Sequence, residues 1–92
     1  MALTIKEKNG TYFVEGALNA STAQNFQTHL EFILNSHDIV TINIDDVKQV
    51  DYNGLVALRE VYSSALINNR DFYMVGDSYQ DIYEDITYTN VA

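Results

Sequence analysis

The chain has 92 residues, of which 47% are hydrophobic, with a formal net charge of −8 and no cysteine or proline. This length fits one domain with a single hydrophobic core over residues 1–92 and leaves little room for a deep pocket. The acidic excess disfavours nucleic acid and anionic lipid surfaces as partners, and the lack of cysteine excludes disulfides and thiolate chemistry.

The N-terminal segment has the pattern of a β-hairpin. Apolar and polar residues alternate at the start of Leu3–Lys8, and the Asn9-Gly10 pair is followed by the aromatic and β-branched run Thr11–Val14. Asn-Gly between two such runs is typical of a tight hairpin turn. We expect Gly16 to end the second strand.

A first helix is predicted from Ser21 to about Asn35. In the segment S-T-A-Q, the Ser21 hydroxyl can accept a hydrogen bond from the Gln24 amide while the Gln24 side chain reaches back, which is a capping box. After this cap, apolar residues recur at three-to-four spacing and predict one buried face. Its members are Ala23, Phe26, Leu30, Ile33 and Leu34.

A strand and a second helix follow. In Ile39–Ile44 every second residue is an aliphatic side chain, which predicts a strand with one buried face. The second helix is predicted to have Asn53 as its N-cap and to end at Asn68-Asn69, because Asn tolerates the left-handed conformation. Its predicted apolar side consists of Leu55, Leu58, Tyr62, Ala65 and Leu66.

The C-terminal part predicts one more strand and one more helix. Phe72–Val75 has strand composition and Gly76 ends it, after which Asp77 or Ser78 can cap a helix. The apolar side of this third helix is Tyr79, Ile82, Tyr83 and Ile86. Residues 87–92 are predicted to be a short tail. The order of elements predicts an α/β fold with right-handed crossovers between parallel strands.

The sequence offers no pattern for catalysis, metal binding or membrane insertion. His29 and His37 are too far apart to share a metal-binding helix face, and no alternating acidic calcium loop or G-x-S-x-G elbow occurs. The four scattered glycines form no phosphate loop. The N-terminus lacks the apolar stretch of a signal peptide, and the longest strictly apolar run is Leu55–Leu58. We therefore expect a cytoplasmic, non-enzymatic protein without metal or cofactor.

Three segments resemble a known family. They are Phe13–Ala23 (F-V-E-G-A-L-N-A-S-T-A), Ile42–Val47 (I-N-I-D-D-V) and Val50–Leu58 (V-D-Y-N-G-L-V-A-L). In order and spacing they are similar to the STAS domain, named for sulphate transporters and anti-sigma-factor antagonists. The resemblance implies a small mixed β-sheet with an N-terminal hairpin, about three helices packed mainly on one face, and a function carried out by protein contact.

The first family signature reads G-x-L-D-x-x-T. Here it is matched by Gly16, Leu18 and Thr22, whereas Asn19 stands where the family has Asp. Because some STAS relatives bind nucleotide, the resemblance makes Asn19 a candidate ligand-binding residue. A ligand- or nucleotide-sensing domain is therefore one alternative function, and a STAS subunit of a transporter assembly is another.

The second signature reads D-S-S-G-L and is matched by Asp51, Gly54 and Leu55, whereas Tyr52 and Asn53 replace both serines. In the family, a partner kinase phosphorylates the first serine and binding is lost. The resemblance thus implies a bacterial module similar to an anti-sigma factor antagonist that lacks the usual phosphorylation site. Its partner would be a protein such as a kinase-like anti-sigma factor, bound through the five residues of this signature.

Two placements of Tyr52 remain open from sequence. An exposed tyrosine would serve as an anchor for the partner, since Tyr is enriched among residues that dominate binding energy. A semi-buried tyrosine would instead be part of the strand-to-helix turn. A phosphotyrosine switch is a third reading of the same residue.

Overall fold

The computed structural model describes residues 2–76, which form four strands and two helices. Their order is β1 (Leu3–Lys8), β2 (Thr11–Leu18), α1 (Ala23–Ser36), β3 (Ile39–Val50), α2 (Tyr52–Ile67) and β4 (Asp71–Val75). The strands form one sheet in the order β1-β2-β3-β4, in which β1 is antiparallel to β2 and the other neighbours are parallel. The predicted mixed α/β fold with an N-terminal hairpin is confirmed. The predicted third helix, from Asp77 or Ser78 to Ile86, and the predicted tail lie outside the described residues.

The hairpin turn has the geometry that its sequence predicts. Asn9 and Gly10 have φ angles of 53° and 84°, and consecutive positive φ angles match the right-handed twist of the flanking strands. The Glu7 carboxylate also accepts a hydrogen bond of 2.8 Å from the Gly10 amide. The hairpin prediction is therefore confirmed at its turn.

The prediction that Gly16 ends the second strand is wrong. Strand β2 continues to Leu18, and its register with β3 shifts between Gly16 and Ala17. Gly16 has φ +114°, and a Cβ atom there would lie 2.0 Å from the Ala2 carbonyl oxygen. This glycine therefore permits an irregularity within the strand, where the backbone bends and approaches the N-terminal segment.

Strand β3 ends later than predicted, whereas helix α2 ends at the predicted position. Strand β3 extends beyond Ile44 to Val50, because β2 continues alongside it until Leu18 pairs with Val50. Helix α2 ends as predicted, with Asn68 as its C-cap and Asn69 in the left-handed region at φ 55°.

Both helices cover the same face of the sheet. All five residues of the predicted α1 face are buried, and they pack against the inward side chains of the strands in one core. Helix α2 buries a stripe at four-residue spacing, Ala57, Val61 and Ala65, together with Leu58. The prediction that Leu66 joins this face is wrong, since the side chain is 78% exposed. At about 100° per residue, Leu66 is turned about 180° from Ala57, whereas Leu58 is turned about 100° and still lies within the buried side of the helix.

Neither of the two helices within residues 2–76 is long and apolar enough to cross a membrane.

Candidate docking surface

The two family signatures meet where the central strands β2 and β3 end, at their carboxyl ends. Strands β2 and β3 are parallel, and their last paired residues are Leu18 and Val50. The segment 19–22 and the start of α2 therefore leave the sheet side by side. A hydrogen bond of 3.1 Å from the Asp51 amide to the Leu18 carbonyl joins the two segments directly. The structure thus brings Asn19 close to the predicted site residues 51–55.

Asp51 connects these segments through its side chain. It is the N-cap of α2, and one carboxylate oxygen accepts a hydrogen bond of 3.0 Å from the Gly54 amide. The other oxygen accepts one of 3.2 Å from the Ala20 amide in the β2–α1 loop. The negative charge also lies at the positive end of the helix dipole. Asp51 therefore holds the β2–α1 loop against the first turn of α2.

The prediction that Asn53 caps the second helix is wrong. Helix α2 begins at Tyr52, so Asn53 lies inside its first turn with an exposed side chain. The difference arises because β3 continues to Val50 and leads directly into the helix. The residue after the strand, Asp51, has the extended backbone that an N-cap requires.

Replacing the capping carboxylate should lower stability. We expect Asp51→Ala to reduce the free energy of unfolding by about 1 to 2 kcal/mol, in the upper part of the range for N-cap loss, because the Ala20 amide loses its acceptor as well. Urea unfolding followed by circular dichroism measures this change. The matched control is Asn53→Ala, which should change stability by less than about 0.5 kcal/mol. A larger loss for Asn53→Ala than for Asp51→Ala would contradict the cap assignment.

The β2–α1 loop is organised by Asn19, not by a capping box at Ser21. The Asn19 side-chain oxygen accepts hydrogen bonds from the Ser21 amide at 3.0 Å and the Ser21 hydroxyl at 2.8 Å. The N-cap of α1 is Thr22, whose side chain makes no capping bond. Instead, the Thr22 hydroxyl accepts a hydrogen bond of 2.9 Å from the backbone amide of Asn19 and donates one of 2.7 Å to the Ala17 carbonyl oxygen. The predicted capping box is therefore wrong, because the Ser21 hydroxyl is directed back to Asn19.

Gly54 allows α2 to approach β2 closely. A Cβ atom at this position would lie 2.4 Å from the Leu18 carbonyl oxygen and 2.9 Å from the Leu18 Cγ atom. The glycine is buried in the first turn of α2. It therefore sets how closely the start of the helix lies against the end of β2.

Tyr52 projects from this rigid base into solvent. Its side chain is 67% exposed, and within residues 2–76 no hydrogen bond or ring contact holds the phenol. Of the two placements that the sequence left open for Tyr52, the semi-buried one is therefore wrong and the exposed one is confirmed. Asn53 is exposed beside it, whereas Leu55 is partly buried against the core.

A shallow groove between the two helices lies next to Asn53, and the sequence reasoning did not find it. Its volume is about 210 Å³. The lining residues are Ala20, Ala23, Gln24, Gln27, Asn53, Val56 and Ala57. The alanines among these residues are the sequence feature that could have indicated the groove, because small side chains leave space between packed helices. We refer to residues 51–55 and this groove together as the docking surface.

The exposed chemistry of the docking surface is an aromatic ring, side-chain amides and alkyl groups. Both carboxylate oxygens of Asp51 are engaged by backbone amides. Among residues 2–76, no group of three His, Cys, Asp or Glu side chains is placed to hold a metal ion. Such a surface can form van der Waals contacts and neutral hydrogen bonds with a partner.

Solved structures of anti-sigma factor antagonists share this fold. The structure of the anti-sigma factor antagonist SpoIIAA in its unphosphorylated form matches with a TM-score of 0.67 and 8% identity, covering 90% of this chain and 82% of that one. The match to an anti-sigma factor antagonist from Mycobacterium paratuberculosis has a TM-score of 0.65 and 17% identity, covering 98% and 78%. For the STAS domain of an anti-sigma factor antagonist from Rhodobacter sphaeroides the values are 0.62 and 20%, covering 82% and 85%.

No curated protein matches the chain with significant similarity. At identities this low, the structural matches show the fold alone. The sequence model of the STAS domain, however, matches residues 1–82, which is most of the chain. The order of elements and the two meeting signatures agree with that match, and the chain belongs to the STAS domain family.

Proposed function

We propose that this protein is a non-enzymatic interaction module of the anti-sigma factor antagonist type, acting in the cytoplasm of a bacterium. It binds a protein partner through the docking surface. The observation that carries this proposal is the exposure of Tyr52 next to Asp51, whose carboxylate is hydrogen-bonded both to the β2–α1 loop and to the first turn of α2. Fold similarity to anti-sigma factor antagonists supports the same kind of role.

The geometry of the docking surface suits an anchor residue. A tyrosine offers a large contact area and loses little side-chain entropy on binding. The backbone beneath Tyr52 is preorganised, because the Asp51 carboxylate binds amides on both sides of the site. Little ordering free energy is then lost when the partner binds. Asn53 and the glutamines of the groove supply polar contacts around the aromatic centre.

The proposed partner is a kinase-like anti-sigma factor. Isothermal titration calorimetry with each such protein encoded in the same genome tests the proposal. We expect saturable binding to at least one of them, with a Kd in the micromolar range or below. Absence of heat and of co-elution with all of them at 0.1 mM would contradict the proposed partner class. Ligand sensing and transporter assembly, the alternatives named from sequence, have no comparable structural support within residues 2–76.

We also propose that the usual serine switch is absent at the docking surface. Tyr52 and Asn53 occupy the positions of the two family serines, so residues 51–55 contain no aliphatic hydroxyl. Incubation with the anti-sigma kinase and ATP should therefore leave this segment unmodified by mass spectrometry. Tyr52→Ser is the matched control, since it restores a hydroxyl at the family position and should become phosphorylated. Stoichiometric phosphate on Tyr52 itself would contradict the expectation, and phosphate on Ser21 would place the switch in the β2–α1 loop.

A further inference from the structure

The groove beside Asn53 continues along the line where the two helices meet. Each helix connects two parallel strands, so α1 and α2 run side by side in the same direction. Gln27 lines the groove, and its side-chain amide donates a hydrogen bond of 3.3 Å to the Glu31 carboxylate, one turn further along α1. The same Glu31 oxygen accepts one of 2.8 Å from the Ser64 hydroxyl of α2. We refer to this surface between the helices, from Asn53 to Ile67, as the helix seam.

The charge of the Glu31 carboxylate is not paired with a cation within residues 2–76. The side chain is partly buried, and its second oxygen accepts no hydrogen bond from this part of the chain. The ion pairs among these residues join Arg59 to Glu60 and Arg70 to Asp38, and the lysines of the sequence lie in strands β1 and β3. Glu31 therefore keeps one carboxylate oxygen available for a lysine or arginine from outside, which are the strong donors to such a group.

The rest of the helix seam is acidic in the middle and apolar at both ends. Glu60 precedes Ser64 by one turn of α2, so a second carboxylate lies on the same side of the helix, next to Arg59. Val56 lines the groove at the start of the seam. Ile67, which is 80% exposed, follows Ser64 by three positions at the far end. Since α2 rises 1.5 Å per residue, these two aliphatic side chains are separated by about 16 Å.

We propose that the helix seam binds a segment of the protein partner in which a lysine or arginine lies between apolar residues. The cation contacts the available oxygen of Glu31, and the apolar residues contact Val56 and Ile67. The net charge of −8 also attracts a basic segment before contact is made. This inference rests on the proposed function for the partner itself, and it extends the docking surface from Tyr52 along the whole of α2.

A peptide titration tests the cation site without the partner. The blocked tripeptide Ala-Arg-Ala is added at millimolar concentration to the isotope-labelled full chain, and backbone amide shifts are recorded by NMR. We expect the largest shifts at Gln27, Glu31 and Ser64, and we expect them to disappear in Glu31→Gln, which keeps an oxygen for both hydrogen bonds within the seam. The neutral tripeptide Ala-Gln-Ala is the control and should cause much smaller shifts. Shifts that are largest elsewhere, or equal at all acidic residues, would overturn the proposal.

Calorimetry with an anti-sigma factor that binds the wild-type chain tests the same contact in the complex. Glu31→Gln should weaken binding at least about tenfold, and its affinity should fall less steeply with salt concentration. The matched control is Glu15→Gln, which removes the same charge from an exposed position on the opposite face of the sheet. It should change the Kd by less than about twofold. Circular dichroism verifies that both variants are folded.

The two experiments separate this inference from the proposed function. An unchanged Kd for Glu31→Gln would overturn the role of the helix seam and leave binding through Tyr52 intact. Absence of binding by the wild-type chain to every anti-sigma factor would instead contradict the proposed partner class. The peptide titration would still decide whether the seam at Glu31 selects a cation.

Discussion

Replacing Tyr52 with alanine should weaken binding to the anti-sigma partner at least about thirtyfold. Truncating a dominant interface residue typically costs 2 kcal/mol or more, and 1.4 kcal/mol corresponds to a tenfold change in Kd. Stability should change by less than about 0.5 kcal/mol, because the Tyr52 side chain is mostly exposed and alanine is a good helix former. Calorimetry with the partner and urea unfolding measure the two effects separately.

Two further variants make the Tyr52 result specific. Leu66→Ala removes another exposed apolar side chain from the same helix but lies far along it, so it should leave the affinity unchanged. Tyr52→Phe separates the ring from the hydroxyl and should retain most of the affinity if ring contact dominates. An unchanged Kd for Tyr52→Ala would show that the anchor is not at this residue. A lowered unfolding midpoint with that unchanged Kd would assign Tyr52 a structural role.

Gly54→Ala should destabilise the fold by about 2 kcal/mol or more. Two effects oppose each other at this position. Alanine is favoured over glycine within a helix by about 1 kcal/mol, but its Cβ atom would lie 2.4 Å from the Leu18 carbonyl oxygen. The clashing atom belongs to the backbone of a central strand and cannot move aside alone, so the steric effect exceeds the propensity gain.

Urea unfolding of Gly54→Ala beside Asn53→Ala measures the balance. Asn53 is the neighbouring exposed helix position, so its substitution reports the propensity effect without the steric clash. We also expect weaker partner binding for Gly54→Ala, because the helix start must move away from the β2–α1 loop. Equal or higher stability of Gly54→Ala would contradict the close approach described for α2 and β2.

Features governed by local sequence were predictable. The Asn9-Gly10 turn requires two residues that tolerate positive φ, and the structure has them there. The buried stripe of α1 follows from its own periodicity and was predicted residue by residue. In both cases neighbours in sequence are sufficient to determine the geometry.

The cap of α2 depended on contacts between distant segments. Asp51 and Asn53 are both suitable N-cap residues, and local sequence does not choose between them. The choice follows from where β3 ends, which depends on its pairing with β2 as far as Leu18. Leu66 shows a similar limit, because the apolar pattern of α2 does not reveal which side meets α1.

The candidate site was predictable as a segment but not as a surface. Residues 51–55 could be identified from their signature, and the exposure of Tyr52 could not. The groove beside Asn53 combines residues from both helices and the β2–α1 loop. Its shape depends on the approach of α1 and α2, which no single stretch of sequence encodes.

The strand order has a consequence for how the chain can fold during synthesis. Spatial order equals chain order across the sheet, β1-β2-β3-β4. Each strand that leaves the ribosome can add to the edge formed by the previous one, and no later strand among these four must insert between two earlier ones. The hairpin forms within microseconds in isolation, and each parallel strand then waits only for the helix that precedes it. The growing edge of the sheet, first β2 and then β3, is thus covered by the next strand to be made, which shortens the time in which that edge could pair with another chain.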